Sequence, residues 1–201
     1  MKVTLVDHGA GNVASVERAL QRLGADFLRA TTPDAIASAE ALILPGVGHY
    51  SALVRALDQQ DLRAALVDTL HRGIPFLGIC LGLQALFEFS EEAPQLRGLH
   101  VLPGSVSALP TTVKLPHMGW NQIDSKRESR LLAGVGPQAY FYFAHSFAAD
   151  TDSSATVATC THGANFAAVL EQRNIHAVQF HPEKSAEAGA RVLQNFLGLA
   201  S

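Results

Sequence analysis

The chain has 201 residues, 48% of them hydrophobic and 16% charged, with a formal net charge of −3. That balance suits one globular domain, 1–201, and excludes a disordered chain; it also leaves no basic footprint for nucleic acid. No run approaches the ~20 apolar residues of a membrane span, and the opening MKVTLVDHG is too short for a signal-peptide core. Two cysteines, Cys80 and Cys160, make neither a disulfide framework nor a zinc site, so a reducing, cytoplasmic setting is expected.

In chain order, residues 3–6 read as a first strand. Residues 12–23 follow with helical spacing through Val13, Val16, Leu20 and Leu23. A weak second strand covers 27–30, and a short helix covers 33–39, with Thr32 as N-cap and Pro33 in its first turn. Residues 41–44 form a fully apolar third strand, ended by Pro45-Gly46-Val47-Gly48. Helices are expected over 51–59 and 62–71, then a buried strand over 74–79 and a helix over 83–89. This alternation implies a three-layer α/β fold with a mostly parallel central sheet flanked by helices.

The second half changes character. Short strand-like runs lie at 101–109, 113–115, 139–143, 156–161, 166–171 and 175–180, separated by turn signals. A helix over 186–197 closes the chain, with Val192, Leu193, Phe196 and Leu197 on its apolar face. Antiparallel β hairpins therefore extend the α/β core. Lys126, Arg127 and Arg130 cluster among Asp124 and Glu128, as a solvated loop face does.

Gly78-Ile79-Cys80-Leu81-Gly82 has the glycine spacing of a strand–turn–helix elbow, which lifts a nucleophile onto a sharp turn. A helix N-terminus there favours a thiolate. The same stretch also reads as a buried structural cysteine between incidental glycines. Pro45, Gly46, Val47 and Gly48 end the neighbouring strand, where backbone N–H groups of Val47 and Leu81 can form an oxyanion hole. Gln179-Phe180-His181-Pro182-Glu183 ends another apolar strand. His181 can serve as the base a thiol needs, and Glu183, two residues on, can fix its tautomer; an ordinary surface turn reads the same way. Gly9-Ala10-Gly11-Asn12-Val13-Ala14 formally matches a dinucleotide fingerprint, but Arg29-Ala30-Thr31 stands where its acidic residue belongs. A tight turn with Asn12 capping the helix is the simpler reading. His49, His71, His100, His162 and His176 show no metal-ligand spacing.

Taken together, Cys80 with Gly82 and Gln84, followed about a hundred residues later by His181-Pro182-Glu183, resembles the triad, or class I, glutamine amidotransferases. Asp7-His8-Gly9-Ala10-Gly11-Asn12 with Ser15-Val16, Leu44-Pro45-Gly46-Val47-Gly48, Pro116-His117-Met118-Gly119-Trp120-Asn121, Tyr140-Phe141-Tyr142-Phe143-Ala144-His145-Ser146-Phe147 and Lys184-Ser185 are similar to one branch of that family. That branch is the glutaminase subunits of imidazole glycerol phosphate synthase. His8 and Phe147 depart from it, standing where the branch commonly has Tyr.

The resemblance implies hydrolysis of glutamine by Cys80, His181 and Glu183, with no cofactor and no metal. It implies an oxyanion hole from Val47 and Leu81, and substrate contacts at Gly48, Gln84, Ser146 and Phe147. It implies ammonia delivery to a TIM-barrel cyclase subunit, bound as a heterodimer. Asn12, Trp120, Asn121, Tyr140 and Lys184 are the corresponding interface candidates. A core aromatic is the other reading of Trp120.

Overall fold

The computed structural model describes residues 2–9 and 12–200. Five parallel strands form the centre of the fold. They are β1 (Val3–Val6), β2 (Phe27–Ala30), β3 (Ala41–Gly46), β4 (Phe76–Cys80) and, far along the chain, β13 (Ile175–Val178). Between the first four run helices α1 (Val13–Arg22), α2 (Pro33–Ala37), α3 (Tyr50–Gln59) and α4 (Leu62–His71). After β4 come a four-residue helix, α5 (Leu81–Gln84), and the strands β5 (Phe89–Ser90), β6 (Ser105–Ala108), β7 (His117–Gln122), β8 (Asp124–Ser125), β9 (Tyr140–His145), β10 (Phe147–Ala149), β11 (Thr156–His162) and β12 (Ala164–Gln172). A 3-10 turn, Pro182–Lys184, leads into α6 (Ala186–Leu199).

The main sheet has eight strands in the order β2-β1-β3-β4-β13-β12-β11-β8, of which β12, β11 and β8 run antiparallel. Two smaller assemblies, β10-β6-β5 and the β7-β9 ribbon, lie beside it. Side chains alternate across a strand, so a sheet covered on both faces needs apolar residues at every position. β3 shows this: Leu42 and Leu44 enter one core with α3 and α4, while Ala41 and Ile43 enter the other with α1 and α6. The sequence-based picture of a parallel sheet with added hairpins therefore holds.

Local outcomes differ in four places. The helix expected over 83–89 stops at Gln84, because the chain turns to start β5. The strand expected over 101–109 is confined to Ser105–Ala108. The run at 113–115 is not a strand; pairing begins after Pro116, as β7 zips onto β9. Asn12 occupies the N-cap position without a side-chain cap bond, whereas Thr32 Oγ1 does accept from Ala35 N. Ala10 and Gly11 of the glycine-rich opening lie outside the described residues. No described helix is long and apolar enough to cross a membrane.

Candidate active site

Cys80 ends β4 with φ 54, a left-handed conformation that a side chain adopts only when its surroundings enforce it. The enforcement is steric. A Cβ on Gly82 would sit 1.9 Å from the Leu44 carbonyl oxygen, and one on Gly46 would sit 2.6 Å from Leu81 Cβ. The elbow thus closes directly onto the end of β3, and Gly46 pairs with Cys80 across the sheet. That contact sets Gly46 against Leu81 and Gly82 at the turn that carries the sulfur. The helix beyond Cys80 has four residues, so its dipole contributes less to the thiolate than a long helix would.

The second half of the site arrives on β13, the neighbour of β4. Two residues past Gln179, the backbone N–H of His181 donates to the Tyr142 carbonyl at 2.8 Å. Ser185 Oγ donates to the His181 carbonyl at 2.6 Å and accepts from Tyr142 N at 2.9 Å, clamping the turn to β9. His181 Nδ1 lies 3.0 Å from Glu183 Oε1, with side chains 2% and 1% exposed. A carboxylate can only accept, so Nδ1 carries the proton and Nε2 is left for Cys80. Burial alone would lower the His181 pKa, but the Cys80 thiolate and the Glu183 carboxylate outweigh it and hold the imidazolium up at about 10. Cys160 is the opposite case: burial pushes its thiol up to about 12, which leaves it inert at neutral pH.

A small cavity opens on Cys80, lined by Gly48, Leu81, Gln84, Glu92, His145, Ser146 and Phe147. All four substrate candidates from the sequence therefore meet around the thiol. The cavity is small, about 40 Å³. Gln84 is 1% exposed and its Oε1 has no partner, a buried acceptor awaiting a donor.

Glu92 was missed by sequence reasoning. It lies in a turn-rich stretch with no motif, and only the fold brings its carboxylate to the cavity. There it accepts from Tyr50 N at 2.8 Å. His145 and His117 were likewise left without a role. His145 Nδ1 donates to the Phe147 carbonyl (2.9 Å), its Nε2 accepts from His117 Nδ1 (3.1 Å), and Asn121 Nδ2 donates to His117 Nε2 (3.3 Å). Burial pushes His145 down to about 3 and His117 down to about 4, so both stay neutral beside the cationic His181.

His8 is 2% exposed. Its Nε2 donates to the Pro45 carbonyl at 3.0 Å, so it braces the 45–48 segment from behind. Burial, more than its hydrogen bond to Pro45 and the nearby Asp7 offset, keeps its pKa below the ordinary value.

Trp120 is 52% exposed and Tyr140 53%, which rules out a core role for Trp120. They share the outer face of the β7-β9 ribbon with Met118, and Lys184 Nζ hangs 5.6 Å over the Tyr142 ring. Asn121 points to the other side of β7 from Trp120, its amide bonded to His117 and to the Thr161 carbonyl, as alternation along β7 requires.

The Glutamine amidotransferase class-I family model matches residues 4–199. The chain is 44% identical over 195 residues to "Imidazole glycerol phosphate synthase subunit HisH" of Methanothermobacter thermautotrophicus, covering 97% of each chain. It is 42% identical over 200 residues to "Imidazole glycerol phosphate synthase hisHF, chloroplastic" of Arabidopsis thaliana, covering 97% of this chain and 34% of that one. Among solved structures, "Crystal structure of glutamine amidotransferase" superposes with a TM-score of 0.78 at 19% identity, covering 98% of both chains. "Structure of PurLQS from Thermotoga maritima" superposes at 0.76 and 18%, covering 100% and 99%. An elbow cysteine facing a buried His–Glu pair across adjacent parallel strands, together with a family match over nearly every residue, means that the chain belongs to the class I glutamine amidotransferases, in the HisH branch.

Proposed function

We propose that this chain is the glutaminase subunit of an imidazole glycerol phosphate synthase, working in the cytoplasm. It hydrolyses glutamine to glutamate and ammonia, and passes the ammonia through a channel to a TIM-barrel cyclase subunit. That partner completes the lyase reaction, which yields imidazole glycerol phosphate and aminoimidazole carboxamide ribotide for histidine synthesis. The observation that carries the reading is the buried His181–Glu183 pair, 3.0 Å apart, next to a strained Cys80.

The Cys80 thiolate attacks the side-chain amide carbon of glutamine. Negative charge develops on the amide oxygen, where the N–H groups of Val47 and Leu81 receive it. His181, as imidazolium, gives its Nε2 proton to the leaving nitrogen; the C–N bond breaks and ammonia departs. The neutral imidazole then takes a proton from water, whose oxygen attacks the thioester. The C–S bond breaks, glutamate leaves, and the thiolate–imidazolium pair is restored. Glu183 holds the Nδ1 proton throughout. Gln84 offers its free Oε1 to the substrate, and the Glu92 carboxylate suits the α-ammonium. Gly48, Ser146 and Phe147 supply backbone around the amino-acid end.

The cyclase docks on the exposed Trp120, Tyr140 and Lys184 face, with Asn12 at its edge. In the Arabidopsis relative the matching segment is 34% of the chain, which leaves room for a fused partner activity. Docking there presses on β9, whose Tyr142 carbonyl anchors the His181 turn. The test is glutamate release by the chain alone, with the cyclase subunit, and with that subunit's nucleotide ligand added. Stepwise activation supports the reading; a chain as fast alone as in the liganded complex contradicts partner control. Failure of a glutamine-like chloroketone to label Cys80, even in the complex, contradicts the enzyme itself.

A further inference from the structure

Gln179 lies between β13 and the catalytic turn and is 0% exposed. Its Oε1 accepts from Gln84 Nε2 at 3.1 Å, and its Nε2 lies 3.5 Å from Cys80 Sγ. The direction of these protons is fixed by groups other than the sulfur. The Phe147 carbonyl can only accept, and two donors converge on it: Gln84 Nε2 at 2.8 Å and His145 Nδ1 at 2.9 Å. Gln84 must therefore turn its nitrogen toward Phe147. The second hydrogen on that nitrogen faces Gln179, so the facing atom of Gln179 is its oxygen. Its NH2 group is left pointing at sulfur.

An N–H aimed at sulfur discriminates between protonation states. A thiol accepts weakly, whereas a thiolate accepts with its full charge. The same donor serves twice in the cycle: before attack, and when C–S cleavage returns the electron pair to sulfur. We propose that Gln179 is a further working residue of the site, the amide donor that holds the Cys80 sulfur and stabilises its negative charge, with Gln84 and the Phe147 carbonyl fixing its orientation. This rests on Cys80 being the nucleophile. The titratable groups sharing the space are His181, backed by Glu183, with His145 and Glu92 on the cavity wall. Gln179 is the neutral member, acting at the sulfur itself.

Two variants separate this role from mere packing. Gln179→Glu keeps the shape and the acceptor for Gln84, but replaces the donor with an oxygen. Gln179→Met removes both polar atoms at similar length. The full chain is treated with iodoacetamide and with a glutamine-like chloroketone at fixed pH. Labelling of Cys80 and Cys160 is resolved by peptide mass, and folding is checked by cooperative thermal unfolding. Removing a hydrogen bond to a charged group slows Cys80 labelling on the order of ten- to a hundredfold in Q179M, and more in Q179E. In the partner complex kcat falls by a like factor, with KM for glutamine within about twofold. A cooperatively folded variant of either kind that labels within about threefold of wild type overturns the inference. Should Q179E not fold, Q179M carries the comparison. Wild-type Cys80 that resists both reagents, alone and in the complex, overturns the nucleophile assignment and this inference with it; wild type labelled and variants equally fast overturns the Gln179 role alone.

Discussion

Glu183→Gln isolates the electrostatic part of the triad. The amide preserves length and can still accept from His181 Nδ1, so the 3.0 Å contact survives while the charge disappears. Two unit charges about 4 Å apart at an effective dielectric of 20 are worth about 4 kcal/mol, and each 1.36 kcal/mol is tenfold in rate. The imidazolium has to persist until it protonates ammonia, so the variant should lose about 10³-fold in kcat with little change in KM. The assay is glutamate release by the partner complex at saturating glutamine. A second readout concerns stability. His181 is held above its ordinary 6.5 at about 10, so between those values the folded chain keeps a proton that the unfolded chain releases. Its contribution is complete below pH 6.5 and is lost as pH rises through 10. E183Q should flatten the fall in melting temperature between pH 7 and 9. Retention of more than about a tenth of wild-type kcat, with that slope unchanged, would refute the electrostatic account.

Glu92→Gln removes the carboxylate proposed for the substrate ammonium. KM should rise roughly ten- to a hundredfold while kcat stays within a few-fold, measured in the same assay; an unchanged KM removes Glu92 from the substrate site. Gly82→Ala drives a methyl into the Leu44 carbonyl and should cost about 3 kcal/mol, which in a domain of this size lowers the melting temperature by about 6–12 °C. A melt within about 2 °C of wild type would show that the elbow has slack. His117 falls from 6.5 to about 4 on folding, so the unfolded chain binds the extra proton. Stability is then full above pH 6.5 and declines as pH drops through 4, by about 3 kcal/mol from this residue alone. Thermal melts from pH 6.5 to 5 should show that decline, and His117→Gln should lessen it; equal slopes in the two proteins count against a buried neutral His117.

What could be read from the chain in advance was what sequence encodes locally. Residues 41–44 and 76–79 are apolar because β3 and β4 are covered on both faces, and such a run reads as a buried parallel strand without further information, although the expected start at Ile74 lies two residues before β4. That Cys80 and the His181–Glu183 pair could meet was legible because an elbow and an H-x-E turn are fixed spacings, and β4 and β13 do bring them together. β7 was not: Pro116 and Gly119 break its pattern, and its outward Met118 and Trp120 have no apolar core to announce them. The helix expected over 83–89 stops short at Gln84 for a related reason. Leu86 and Phe87 are buried, as a helix core face would be, but they lie in the turns that lead from α5 into β5.

The residues that escaped sequence reasoning each have at least one partner well separated along the chain. Gln179 was absorbed into an apolar strand, Glu92 into a loop, and His145 into an aromatic-rich motif. Each acquires meaning only when β4, β9 and β13 converge, since Gln84 reaches Phe147 and Gln179 across separations of 63 and 95 residues. The consequence is a division of labour within the site. The triad supplies charge and can be recognised from residue type and spacing. The neutral amides and imidazoles around it supply direction, because a carbonyl that can only accept dictates the orientation of every donor behind it. That chain of direction ends at Phe147, one residue past Ser146 and on the same strand junction as the ribbon carrying Trp120 and Tyr140. A partner that shifts β9 by a fraction of an ångström would therefore disturb the Tyr142 carbonyl holding the His181 turn and, through the Ser146 link into β10, the Phe147 carbonyl orienting the amides at sulfur. The base is anchored on β9 through Tyr142, and the amides at sulfur on Phe147 at the start of β10, two residues beyond the end of β9.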